Sequence, residues 1–94
     1  MLFLVIAKDG TDAEAPARRQ RVRERHLEGA RALAERGTLQ VGGALLDAHG
    51  TMIGSALVVE AEDETAARRL LESDVYHQEG VWRSYEMYPF KRAV

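Results

Sequence analysis

No cysteine occurs among the 94 residues, which rules out a disulfide framework, a thiolate metal site and a thiol nucleophile. Aromatic residues are scarce, at 6%. The segment Thr51–Val59, an expected strand, has none, and the opening strand offers only Phe3. An RNA-recognition module stacks bases on aromatics of such strands, so that use of the chain is excluded. A formal net charge of −2 argues against a general nucleic-acid binder as well. The opening apolar run, Met1–Ala7, ends at Lys8-Asp9-Gly10. It is too short to cross a bilayer and lacks the basic leader and cleavage site of a signal peptide. A soluble, cytoplasmic protein without membrane or nucleic-acid partners is the expectation, folded as one domain over residues 1–94.

Hydrophobic residues make up 46% and charged residues 30%, an ordinary globular balance. The charge is unevenly placed. Residues 17–36 carry seven arginines and three glutamates, a local +4, and residues 60–80 carry seven acids and two arginines, a local −5. Such runs suit either an anion-binding face or two solvated helices that complement each other.

Met1–Ala7 reads as a strand apolar on both faces, hence one lying between two layers. Asp9–Ala15 reads as a polar loop. A helix is expected from about Pro16 to Arg36, with proline in its first turn and Gly37 at its stop. Thr38–Leu46 and Thr51–Glu60 form a hairpin around Asp47-Ala48-His49-Gly50, where Gly50 supplies the positive φ of a turn. Glu62-Asp63-Glu64 opens a second helix running to about Ser73, with acids at the positive end of its dipole. Asp74–Gly80 is a connector with room for one helical turn. Val81–Tyr88 is the last strand, stopped by Pro89.

The order βαββαβ is the ferredoxin-like α+β plan, a four-stranded antiparallel sheet with both helices on one face. Side by side, the two helices would bring the +4 and −5 segments together. The other sheet face, apolar in Leu2–Ala7 and in Ala56-Leu57-Val58-Val59, is too large to leave in water. A second copy packed sheet to sheet is the simplest cover, so a homodimer is expected.

His26 stands on the apolar stripe of the first helix with Val22, Gly29 and Leu33, which share one face at about 100° per residue. An inward imidazole either bonds something structural or does chemistry. Asp74, where the chain returns toward the sheet, is placed to bond one ring nitrogen and fix its tautomer. Such a pair makes a general base. Ser55 is a candidate ligand contact on the sheet floor, or a small residue that permits close packing. Tyr76 either closes the pocket mouth or packs on the connector. Gly42-Gly43 marks a bulge or a close approach of backbone to a ligand. Arg23 and Arg25 are expected to point away from the His26 stripe. His26, Asp74 and His77 form a two-histidine, one-carboxylate set on paper, but nothing turns His77 inward, and neither a metal nor a cofactor is expected. His49 lies in the exposed hairpin turn. Trp82, Tyr85 and Tyr88 read as core and interface residues.

These pieces, in their order and spacing, resemble the YciI-like proteins, stand-alone domains of the dimeric α+β barrel class. The resemblance is carried by Met1–Ala7, Arg25-His26-Leu27, Gly37-Thr38-Leu39-Gln40-Val41-Gly42-Gly43, Gly54-Ser55, Asp74-Val75-Tyr76, Gly80-Val81-Trp82 and Pro89-Phe90-Lys91-Arg92. It covers nearly the whole chain and departs where the family commonly has Asp-Pro-Tyr. It implies an active-site dyad, His26 and Asp74 by position. Relatives in the wider class resemble muconolactone isomerases and a dehydrochlorinase, which shift protons or eliminate HCl without a cofactor. The implied function is a cofactor-independent lyase or isomerase acting on a small organic acid or cyclic metabolite. The alternative is a dimer that binds a small molecule or serves as an accessory protein, with no chemistry.

Overall fold

A computed structural model describes all 94 residues. The chain forms β1 (Leu2–Asp9), α1 (Ala15–Glu35), β2 (Leu39–Leu46), β3 (Met52–Glu60), α2 (Glu64–Glu72), α3 (Val75–Gln78) and β4 (Trp82–Phe90). The strands make one antiparallel sheet in the order β2-β3-β1-β4. This is the expected α+β, ferredoxin-like architecture, with α3 as the helical turn in the connector. No helix is long and apolar enough to cross a membrane.

Alternation along β1 decides the core. Phe3, Val5 and Ala7 are buried, and they pair across to Val59, Leu57 and Ser55 of β3. Val22 of α1, Ala67 and Leu71 of α2, and Tyr76 of α3 close over them. Leu2, Leu4 and Ile6 point to the opposite face with Ala56 and Val58 and keep partial exposure. Tyr88 and Phe90 of β4 and Val41 of β2 extend that face and are exposed.

Local chemistry sets the element ends. Gly37 and Gly50 adopt φ of +78° and +83°, one ending α1 and the other closing the hairpin. The Asp47 carboxylate accepts from the backbone N–H groups of His49 and Thr51 at 2.8 and 3.0 Å. Asp63 caps α2 by accepting from the Ala66 N–H at 2.8 Å, a bond worth about 0.5–2 kcal/mol at such a position.

Two expectations need correction. β1 runs on to Asp9, which is buried rather than part of a polar loop, because Arg19 neutralises it. Pro89 does not stop β4. It lies opposite Phe3 within the strand, tolerated because β4 is an edge, where a missing N–H costs no sheet bond. The +4 and −5 segments are neighbours, with α1 packed on α3, but no arginine of the first forms a salt bridge with an acid of the second. The contact joining them is the His26–Asp74 hydrogen bond, and beside it a cleft of about 410 Å³ opens between α1 and the α2–α3 corner.

Candidate functional site

His26 is 9% exposed and fixed on three sides. Its Nδ1 lies 2.9 Å from Asp74 Oδ1 and 3.1 Å from Oδ2. The Tyr76 ring stacks on it at 3.8 Å with 8° between planes, and Trp82 meets it edge-on at 5.7 Å. A carboxylate can only accept, so Nδ1 carries the proton and donates it. Nε2 is then the ring's free acceptor. It has no partner in the protein, and it is not among the side-chain atoms both sealed from solvent and unpaired.

Asp74 is itself fixed. It is the N-cap of α3, and its Oδ1 accepts from the Tyr76 N–H at 2.8 Å. Val75 fills the first helical position, where proline is also at home. The departure from Asp-Pro-Tyr therefore leaves the cap intact.

The floor comes from the sheet. Ser55 on β3 is 1% exposed. Its Oγ accepts from Arg19 at 3.0 Å and from the Trp82 indole N–H at 3.1 Å. Arg19 is 4% exposed and donates to both Asp9 oxygens at 2.9 and 3.0 Å. Its guanidinium also lies 4.7 Å from the Tyr76 ring centre. Burial pushes the Asp9 carboxyl above its ordinary pKa, and the Arg19 charge and hydrogen bond pull it back. Burial likewise raises the Tyr76 phenol, opposed by Arg19 and Arg23.

A pocket of about 220 Å³ is lined by Arg19, Arg23, His26, Ser55, Tyr76 and the Gly42-Gly43 backbone. Asp74 is not on this wall. It lies behind the imidazole and faces the 410 Å³ cleft. The structure thus brings His26, Asp74, Ser55 and Tyr76 into one cluster. Gly42-Gly43 lines the pocket, while the register breaks in β2 fall on either side of it, between Leu39 and Val41 and between Leu45 and Leu46. Arg23, expected to point away, is on the wall.

Arg19 and its partner Asp9 went unread in the sequence, although a signal was present. Arg19 precedes Val22 by three and His26 by seven, the spacing of a single helix face. Trp82, expected as a core and interface residue, also bonds Ser55 and buttresses the imidazole. His77 turns to β4, where its Nδ1 pairs with the Tyr85 hydroxyl. No group of three or more His, Cys, Asp or Glu side chains is gathered to hold a metal.

A family model described as the YCII-related domain matches residues 1–91. No curated protein matches the chain. Among solved structures, the chain is similar to 5-chloro-2-hydroxyhydroquinone dehydrochlorinase (TftG) from Burkholderia phenoliruptrix AC1100, solved in complex with 2,5-dihydroxybenzoquinone. Identity is 28%, coverage is 99% of this chain and 96% of that one, and the TM-score is 0.84. A protein from Agrobacterium tumefaciens is 14% identical with a TM-score of 0.53, over 99% of this chain and 94% of its own, and shares the fold.

Proposed function

Because the chain belongs to the YCII-related domain family, we propose that it is a cofactor-independent lyase or isomerase acting on a small organic acid or cyclic metabolite. The observation that carries this reading is the imidazole itself. Nδ1 is held by Asp74 while Nε2 has no protein partner, on a ring that lines a pocket able to admit a single ring compound. An architectural histidine would have both nitrogens bonded to protein.

His26 Nε2 takes a proton from an acidic C–H or O–H beside a carbonyl or enol. The electron pair left behind moves toward that carbonyl. A leaving group on the neighbouring carbon then departs with its bonding pair, or the proton returns to another atom. Asp74 keeps the ring oriented and stabilises the imidazolium formed. Ser55 and Tyr76 contact the substrate from the floor and the side. The similarity to a dehydrochlorinase supports elimination as the first chemistry to try.

We also read the open sheet face as the contact with a second copy. Leu4, Ile6, Val58, Val41, Tyr88 and Phe90 form one apolar surface there, of the kind that a partner covers.

The test is chloride release from 5-chloro-2-hydroxyhydroquinone, together with solvent-deuterium exchange into a panel of small cyclic enols. His26→Ala is expected to lower turnover by about 10²–10⁴-fold, the usual contribution of a positioned base, and Asp74→Asn to lower it in the same direction. Unchanged rates in folded variants would remove the dyad, and a wild type that turns over no member of the panel would favour a binding dimer without chemistry.

A further inference from the structure

Strand β2 presents almost bare backbone to the 220 Å³ pocket. Leu39 pairs with Val59 on the helix side of the sheet. A regular ladder from there would bring Val41 opposite Leu57, facing α1. Instead Gln40 is bulged. Val41 pairs with Val58 and turns to the open sheet face, and Gly42 comes opposite Leu57. The Gln40 side-chain amide holds the bulge by donating to the Gly37 carbonyl at 2.7 Å. A bulge beside a site re-aims a side chain, and this one withdraws a valine. A Cβ on Gly42 would lie 3.0 Å from Leu57 Cδ2 and 3.4 Å from Leu39 Cδ2, so two leucines close in over that backbone. With Leu27 and Ala30 of α1 they give the pocket an aliphatic end. Beyond it a void of about 20 Å³ shares Ala30, Leu39 and Leu57 with the pocket and ends on Leu33, Leu70 and Leu71. Atoms that line such a gap lack contacts on one side, and a group reaching into it restores them.

We infer that this aliphatic end is a subsite for a small apolar substituent on the substrate ring: a methyl or ethyl group lies against the Gly42 backbone between Ala30, Leu39 and Leu57, with its tip toward the void. This rests on the proton-transfer reading of the same pocket and narrows its substrates to ring compounds that carry a short alkyl arm. An apolar cavity of about 150 Å³ holds a benzene ring. At about 220 Å³, this pocket has room for a ring and such an arm. Helix α1 sets the direction. Arg19 and Arg23 come first along it, His26 next, and Ala30 one turn further on, all on the pocket wall. The ring therefore lies beside His26 and the arm points away from the arginines. Packing of the arm against Leu39 and Leu57 fixes which ring carbon meets the imidazole.

Titration calorimetry with a homologous series tests this without requiring turnover. The probes are 2,5-dihydroxy-1,4-benzoquinone and its 3-methyl, 3-ethyl and 3-butyl derivatives. In the wild type, affinity is expected to rise by about three- to fourfold per carbon as far as ethyl, the gain from each carbon buried. It falls at butyl, which overfills the end. Ala30→Leu occupies the subsite and reverses the order. The ethyl compound then binds about tenfold more weakly than to the wild type, while the parent stays within about threefold. Leu27→Ala widens the same end, and its optimum moves to butyl. Both replacements are strong helix formers at half-buried positions of α1, so the fold carries them. A general loosening of the molecule weakens every member alike and cannot move the optimum in opposite directions. A flat or falling series in the wild type, or no binding of any member, overturns the proposal. So do variants that keep the wild-type order, with or without a uniform loss. The proton-transfer reading fails separately, when His26→Ala keeps its turnover.

Discussion

Tyr85 shows how one side chain records its surroundings. It stands on β4 with its hydroxyl paired to His77. Burial first, and then the charges of Asp74 and Glu72, push its phenol up to about 12 from the ordinary 10. The unfolded chain ionises this group near 10 while the folded chain keeps it neutral. Its contribution to stability is therefore whole below pH 10 and is lost as pH rises through about 12. Denaturation midpoints followed across that window are expected to fall, and Tyr85→Phe to make the fall shallower. An unchanged slope in the variant would contradict this placement. Single residues also mark where reading the sequence stops short. His26 and Asp74 were legible as partners because one lies on an apolar stripe and the other at a helix start. Arg19 was less so: its spacing puts it on the His26 face, but among seven arginines that signal is weak until its buried partner is known. That partner, Asp9, is far from it in character as well as in position, since it ends a strand that looked finished at Ala7.

Elements were legible where hydrophobic period and punctuation agree, and less so at their ends. The two glycine stops, the Asp47 turn and the acid-led second helix follow from side-chain and backbone chemistry acting within a few residues. Pro89 misleads because proline forbids a central strand but not an edge, and edge or centre is decided by sheet order, which no local window contains. Gly54 is the converse case, a glycine whose reason lies across the sheet. It pairs with Lys8, and a Cβ at this position would lie 2.5 Å from the Ala7 carbonyl oxygen and 3.2 Å from Leu45. The oxygen belongs to the backbone of the central strand and has little room to move. Gly54→Ala is expected to cost about 1–3 kcal/mol, as overpacking does, read as a lower urea midpoint with unchanged slope. Neutrality would mean that β1 and β3 can part there at no cost.

The whole molecule presents two unlike sides, a helix layer carrying the pocket and an uncovered apolar sheet. Pairing through the sheet predicts that Val58→Lys or Leu4→Lys converts a dimer into a monomer, since a buried charge without a partner is costly. Sedimentation at micromolar concentration checks this, and a wild-type monomer there would remove the proposed interface. The sheet order β2-β3-β1-β4 has a separate consequence. It interleaves the two halves of the chain, so the pocket draws on residues from Arg19 to Tyr76, braced by Trp82. No contiguous fragment owns the cavity, and a partly folded chain offers a ligand nothing to grip. Any occupant must therefore steady the molecule as a unit, by an amount that grows with the logarithm of its concentration over its dissociation constant. Thermal melting thus becomes a faithful scale on which unknown metabolites can be weighed.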